Sequence, residues 1–358
     1  MVAVVAVVVV AAAVADHVDL DDYVLTPGVA QSVVPLVKVP QGRAHHVRGS
    51  VFLTDVYITQ VTALSYLFDE VRGDAQILPA ATVLGPATPA SQLVAQGYLE
   101  MEQSQSAAKT AAFRWLGYHV AVHDRGAVVF AVMSGSPATK ALAVGQVVTS
   151  VDGYSTESSC AFARALGART AGKVVRLVVE RSHVSARAAM VPGPVVHERV
   201  RLGRWPASVA HPLATPDCPG SGWHGQGYLG VEIETQQAFD VPFPVSLRTE
   251  SIGGPSAGLA MTLGIVDMLS GGDLTGGRTV AATGTIAPTG AVGEVGGIPQ
   301  KTVAVERVGA TVFFVPAAQV ATARSEASPS LRVYGVESLT EVLDDLRKLG
   351  GKVPESSA

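Results

Sequence analysis

Ser251-Ile252-Gly253-Gly254-Pro255-Ser256-Ala257-Gly258 leads directly into residues 259–269, an apolar run with helical spacing. A turn of small residues thus delivers a serine to the start of a helix. Backbone N–H groups there lack intrahelical partners, and the helix dipole favours negative charge. Such a place can hold the oxyanion of an acyl transfer. Serine is also a preferred N-cap, so Ser256 taken by itself reads as a cap. The reactive reading requires a base.

Gly254-x-Ser256-x-Gly258 also fits the nucleophile elbow of α/β-hydrolases, which needs a histidine after the serine. All nine histidines lie at or before His224, which argues against that fold, and a histidine base would have to reach in from another domain. Three lysines follow Ser256. Lys348 and Lys352 sit in the polar C-terminal end, whereas Lys301 follows Gly296-Gly297-Ile298-Pro299-Gln300 in nearly charge-free sequence. It opens a second expected helix, 301–308, followed by a strand, 311–315. A lysine acts as a base only when neutral, and apolar burial and a helix N-terminus both lower its pKa. A desolvated lysine beside a serine is a known nucleophile–base pair. The competing reading is an ordinary exposed helix lysine.

Several further motifs stand in order with these. They are Thr283-Gly284-Thr285-Ile286, Val292-Gly293-x-Val295-Gly296-Gly297-x-x-x-Lys301, Gly309-Ala310 and Phe314-Val315-Pro316. Together with the serine run they resemble the proteolytic domain of Lon proteases. The resemblance implies Ser256 as nucleophile and Lys301 as general base. Thr283, Gly254, Pro255 and Ala257 are in support, and Thr283 matches the threonine that hydrogen-bonds near the lysine. Gly253-Gly254 replaces the Asp-Gly more common in ATP-dependent Lon.

The chain has 358 residues, enough for two or three domains. It is 48% hydrophobic and 16% charged, with a formal net charge of −4, which argues against disorder and against nucleic-acid binding. No Cys/His spacing suits a metal, so no metal or other cofactor is expected. Cys160 and Cys218 read as two unpaired thiols in different domains, a disulfide between them being the other reading if the chain is exported. Residues 1–15 carry no charge. They read as a membrane-targeting segment, either retained as an anchor or cleaved as a signal after Ala13-Val14-Ala15. A buried Val-rich strand is the alternative.

Residues 16–116 form an N-terminal membrane-proximal region, with an expected strand over 50–60 and an Ala-rich helix over 100–116. Residues 117–182 read as a β-rich module. A hairpin turning at Asp124-Arg125-Gly126 is followed by Gly135-Ser136-Pro137-Ala138, Val144-Gly145-Gln146-Val147-Val148 and Val151-Asp152-Gly153. A helix over 158–166 and a strand over 173–180 complete it. The order resembles a bacterial PDZ domain, with Gln146 where Asp is usual. PDZ domains bind extended peptides by strand addition, and the resemblance implies a pocket loop at Leu116, Gly117, Tyr118 and His119. A proline-rich linker over 183–226, the Lon-like domain over 227–349 and a disordered tail over 350–358 follow.

The expected fold class is therefore multi-domain α+β and α/β, with a small PDZ-like module followed by a Lon-type α/β proteolytic domain. Residues 272–279 nearly fit a phosphate-binding loop, but Arg278 replaces the lysine and a helix precedes it, so a turn is the better reading and no nucleotide is expected. The arrangement is similar to the bacterial membrane-anchored PDZ-containing Lon-like proteases. That similarity implies an ATP-independent serine endopeptidase at the cell membrane, with extracytoplasmic domains, flexible polypeptide substrates and a homo-oligomeric ring. The rival readings are a non-catalytic PDZ-type scaffold and an enzyme that cleaves only itself.

Overall fold

The computed structural model describes residues 14–15, 17–69, 73–84, 88–185, 189–207, 218, 227–249 and 252–355. The apolar segment 1–15 falls outside them apart from Val14 and Ala15. Among the described residues no helix is long and apolar enough to cross a membrane.

Two six-stranded sheets organise the chain. The first runs Arg332–Val336, Val312–Pro316, Thr279–Ala282, Ser50–Thr62, Asp19–Ser32, Gln76–Pro79. Its first four strands are mutually parallel and the last two join antiparallel. Val280, Ala281, Phe313 and Val315 are fully buried, as strands covered on both faces must be. The Gly258–Leu269 helix is buried nearly all round. It packs against the Ser50–Thr62 strand and against the long Leu93–Trp115 helix. Ala107, Ala108, Ala111 and Ala112 of the long helix are buried, and their small side chains let the two helices approach closely. Each fully buried Leu in this core, such as Leu259 or Leu263, contributes about 1.5–3 kcal/mol.

The N-terminal region is thus part of the proteolytic fold. The expected boundary at residue 227 cuts through one sheet, because Thr279–Ala282 completes its hydrogen bonding on Ser50–Phe52, more than 200 residues earlier. A parallel strand left without that neighbour would expose a row of unpaired backbone groups. The long helix also begins earlier than its Ala-rich pattern suggests, at Leu93, just after a short 3-10 turn at Ala90–Gln92.

The second sheet runs Val231–Asp240, Ala121–Val132, Val147–Val151, Val174–Val184, Met190–Arg201, with the short Tyr154–Ser155 strand paired to Val147–Val151. Helix Ser159–Gly167 packs on it, with Phe162 and Leu166 in the core. Three expectations change here. Ala121–Val132 is one strand rather than a hairpin, because Val231–Asp240 pairs with it from Val132 to Ala121. Gly126 serves close packing instead of a turn, since a Cβ there would lie 2.5 Å from Val147 Cγ1. The 183–226 region carries the Met190–Arg201 strand, paired along Val174–Val184, and is more than a linker. Gln146 is buried and its side-chain oxygen accepts from Ala143 N at 3.2 Å.

Cys160 and Cys218 form a disulfide with Cα atoms 5.3 Å apart, so the expectation of two separate thiols is corrected. Cys160 lies in the Ser159–Gly167 helix and Cys218 in the connection between the Met190–Arg201 and Val231–Asp240 strands of the same sheet. The two cysteines therefore belong to one module.

Candidate active site

Ser256 stands in the turn just before the Gly258–Leu269 helix and is half-buried. Three hydrogen bonds hold its loop. Gly254 N donates to Gly97 O at 2.7 Å, and Ser104 Oγ donates to Pro255 O at 3.0 Å, both from the Leu93–Trp115 helix. Gly284 N donates to Ser256 O at 2.9 Å. Gly258 admits no side chain, because a Cβ would lie 2.9 Å from Ile286 Cγ2 and 3.0 Å from Ser104 Oγ. Gly253 is less crowded: its Cβ would meet the Gly97 backbone at 3.3 Å, a contact that a shift of a few tenths of an ångström relieves.

Lys301 lies in the first turn of the Ile298–Arg307 helix. Pro299 suits this turn, and Gly297 caps the helix in a left-handed conformation, φ 70°. A Cβ at Gly297 would also lie 2.7 Å from Val56 Cγ1. Lys301 is only 2% exposed. Burial lowers its pKa from 10.5 to about 7, and the negative charge of Asp55 opposes the fall. The positive end of the helix works in the same direction as burial.

Thr283, fully buried at the end of the Thr279–Ala282 strand, joins the two. Lys301 Nζ donates to Thr283 Oγ1 at 3.3 Å, and Thr283 Oγ1 donates to Ser256 O at 3.2 Å. Thr283 N donates to Phe314 O at 2.9 Å, which fixes the threonine to the sheet. Among the described residues no direct hydrogen bond joins Ser256 Oγ to Lys301 Nζ. Such contacts commonly tighten only when substrate is present.

Asp55 was not legible as a site residue. It lies on the Ser50–Thr62 strand, where its carboxylate accepts from Val29 N and its charge acts on Lys301. Burial raises its own pKa, with the Val29 bond and Lys301 opposing. A lone acid in a strand rich in branched residues carries no signal in the sequence. Residues 272–279 form the turn between the Gly258–Leu269 helix and the Thr279–Ala282 strand, with Asp267 accepting from Leu274 N at 2.9 Å.

Leu116, Gly117, Tyr118 and His119, the expected peptide-pocket loop, follow the Leu93–Trp115 helix and lead into the Ala121–Val132 strand. Tyr118 packs edge-on against Phe113 and Phe243, at 5.6 and 5.7 Å. Leu116 packs on the proteolytic core. The sheet edge flanked by a helix is Val231–Asp240. Ser159 N, at the start of the Ser159–Gly167 helix, donates to Thr235 Oγ1 at 3.1 Å. The loop entering that strand is Gly227-Tyr228-Leu229-Gly230, with Leu229 in the module's core and Gly230 at φ 80°. Its Gly-Tyr and Leu-Gly pairs before an alternating strand echo residues 116–118 and were the available signal.

The Lon protease C-terminal proteolytic domain family matches residues 230–348, and the PDZ domain family matches residues 115–189. Among solved structures the chain is similar to the PDZ domain of the SdrC-like protein of Listeria monocytogenes. Identity is 16%, over 30% of this chain and 87% of that one, with a TM-score of 0.21. The corresponding PDZ domain of Listeria innocua gives 18% identity over 30% and 92%, with a TM-score of 0.20. No curated protein matches the chain.

Proposed function

Since the chain is a PDZ-containing Lon-like protease, we propose that it is an ATP-independent serine endopeptidase working through Ser256 and Lys301. The observation that carries this reading is the buried line Lys301–Thr283–Ser256. A lysine with 2% exposure and a pKa brought to about 7 is tied through one threonine to the residue that bears the hydroxyl. Nothing about packing alone requires a lysine there, and burying its ammonium is costly.

In this reading neutral Lys301 takes the Ser256 hydroxyl proton as the oxygen attacks the scissile carbonyl. The ammonium so formed gives the proton to the leaving amine, and water then hydrolyses the acyl-enzyme. The N–H groups of Gly258 and Leu259 are already used on Pro255 O and Gly284 O. Those of Ser256 and Ala257 stand nearest the hydroxyl to hold the oxyanion. Thr283 sets the direction of the lysine amine.

The apolar run 1–15 supports a membrane-targeting role, and the Cys160–Cys218 disulfide supports an oxidising compartment outside the cytoplasm. Arg278 in place of a phosphate-loop lysine supports independence from ATP for this chain. Flexible polypeptides are the proposed substrates, and the PDZ module supplies a place to bind or gate them. The test is turnover of casein without nucleotide by wild type, Ser256→Ala and Lys301→Ala. Cleavage by wild type alone is expected. Equal cleavage by either variant excludes the pair. A wild type that neither cleaves nor labels with a serine-reactive probe is a scaffold.

A further inference from the structure

A groove of about 670 Å³ opens between the two sheets and reaches the nucleophile's own loop at Gly253 and Gly254. Val56, Ile58, Val94, Phe130 and Met133 give it apolar walls, drawn from both domains. The Ser50–Thr62 strand carries Val56 and Ile58. Beyond Phe52 it has no described strand partner on the side away from Asp19–Ser32, so an extended polypeptide has a backbone edge to lie along.

Two carboxylates stand on this groove. Gly97 O accepts from Gly254 N, and Glu100 lies one turn further along the same helix, a rise of about 4.5 Å. Glu232 faces it from the Val231–Asp240 strand of the PDZ module. Among the described residues neither makes a hydrogen bond or an ion pair, whereas the neighbouring Glu234 is held by Gln103 Nε2 at 2.9 Å. Burial and the charge of Glu234 push Glu100 up to about 7, whereas Glu232 stands exposed on the groove's rim, where partial desolvation and the charge of Glu234 raise it. Acids left in this condition beside an apolar trough are stabilised by a cation brought in by a ligand.

We propose that Glu100 and Glu232 are specificity-determining residues. The groove then selects polypeptide segments in which a lysine or arginine lies within a few residues of the scissile bond, among apolar neighbours. This rests on Ser256 as the nucleophile, since the offset is measured from its loop. Extended chain advances about 3.3 Å per residue, so a side chain a few residues from the cut reaches one helical turn beyond Gly97.

The test uses the full chain carrying Ser256→Ala and two unstructured apolar peptides that differ only by lysine or glutamate at one position. The lysine peptide is expected to bind about tenfold more tightly. The gap should close in Glu100→Gln/Glu232→Gln and invert in Glu100→Lys. Glu232→Gln alone, at an exposed position, should narrow the gap without disturbing the fold. Equal binding of the two peptides, or a gap unmoved by the glutamine changes, overturns the proposal. Cut sites in casein mapped by mass spectrometry keep the two readings apart. Discrimination without cutting removes the peptidase reading and leaves the groove, and cutting without basic preference does the reverse.

Discussion

Lys301 is a lysine whose surroundings are arranged against its charge. Because only the neutral amine accepts a proton, kcat/KM for a neutral peptide should rise with pH through about 7 and level above it. A rising limb near the ordinary 10.5 would show the lysine solvated during turnover. Asp55 favours the ammonium form, so Asp55→Asn should lower the lysine pKa and move the limb to lower pH. An unmoved limb would mean the two charges do not interact in the working enzyme. Thr283→Val keeps the shape but removes the hydroxyl that both contacts use. Loss of one hydrogen bond to an ionising group is worth about 1.5–3 kcal/mol, so kcat should fall roughly 10- to 100-fold. Labelling of Ser256 by a probe should slow with it. Ser256 and Lys301 were readable as candidates because each sits in a short local signal, a glycine-flanked turn and a Gly-Gly-x-Pro helix start. Asp55 was not, because its role exists only across a sheet.

The helix that precedes the PDZ module shapes the reactive loop from outside it. Gly97, Ser104 and Gly253 show how little room separates the Leu93–Trp115 helix from the residues before Ser256. Gly253→Asp should therefore lower probe labelling, since its Cβ presses on the Gly97 backbone at 3.3 Å, which yields less readily than a side chain. Labelling equal to wild type would mean the loop shifts without consequence. The Ala-rich pattern made this helix legible, but its partner was not. Helical periodicity says that a face is buried without saying against what. The same limit applies to the edge of the PDZ sheet. Residues 116–119 carry a suitable local pattern, yet the edge beside the Ser159–Gly167 helix is made by Val231–Asp240.

At the scale of the whole molecule, one proteolytic fold is assembled from two stretches of chain with the PDZ module between them. A fragment comprising residues 227–358 lacks both the Ser50–Thr62 strand that flanks Thr279–Ala282 and the Leu93–Trp115 helix that covers the Gly258–Leu269 helix. It should show no cooperative unfolding transition by circular dichroism, while the full chain shows one or more. A cooperatively folded fragment would mean that the N-terminal strands are an accessory. By itself the sequence marked Ser256 and Lys301 as candidates, the helices beside them and the order of motifs, because capping, turn and helix-start chemistry act within a few residues. Only the tertiary structure decided that the N-terminal strands belong to the proteolytic sheet, that Cys160 pairs with Cys218, that Asp55 acts on Lys301 and where the PDZ edge lies. Those outcomes depend on which distant strand satisfies an open edge and which groups are buried together, and no local pattern encodes a partner more than 200 residues away.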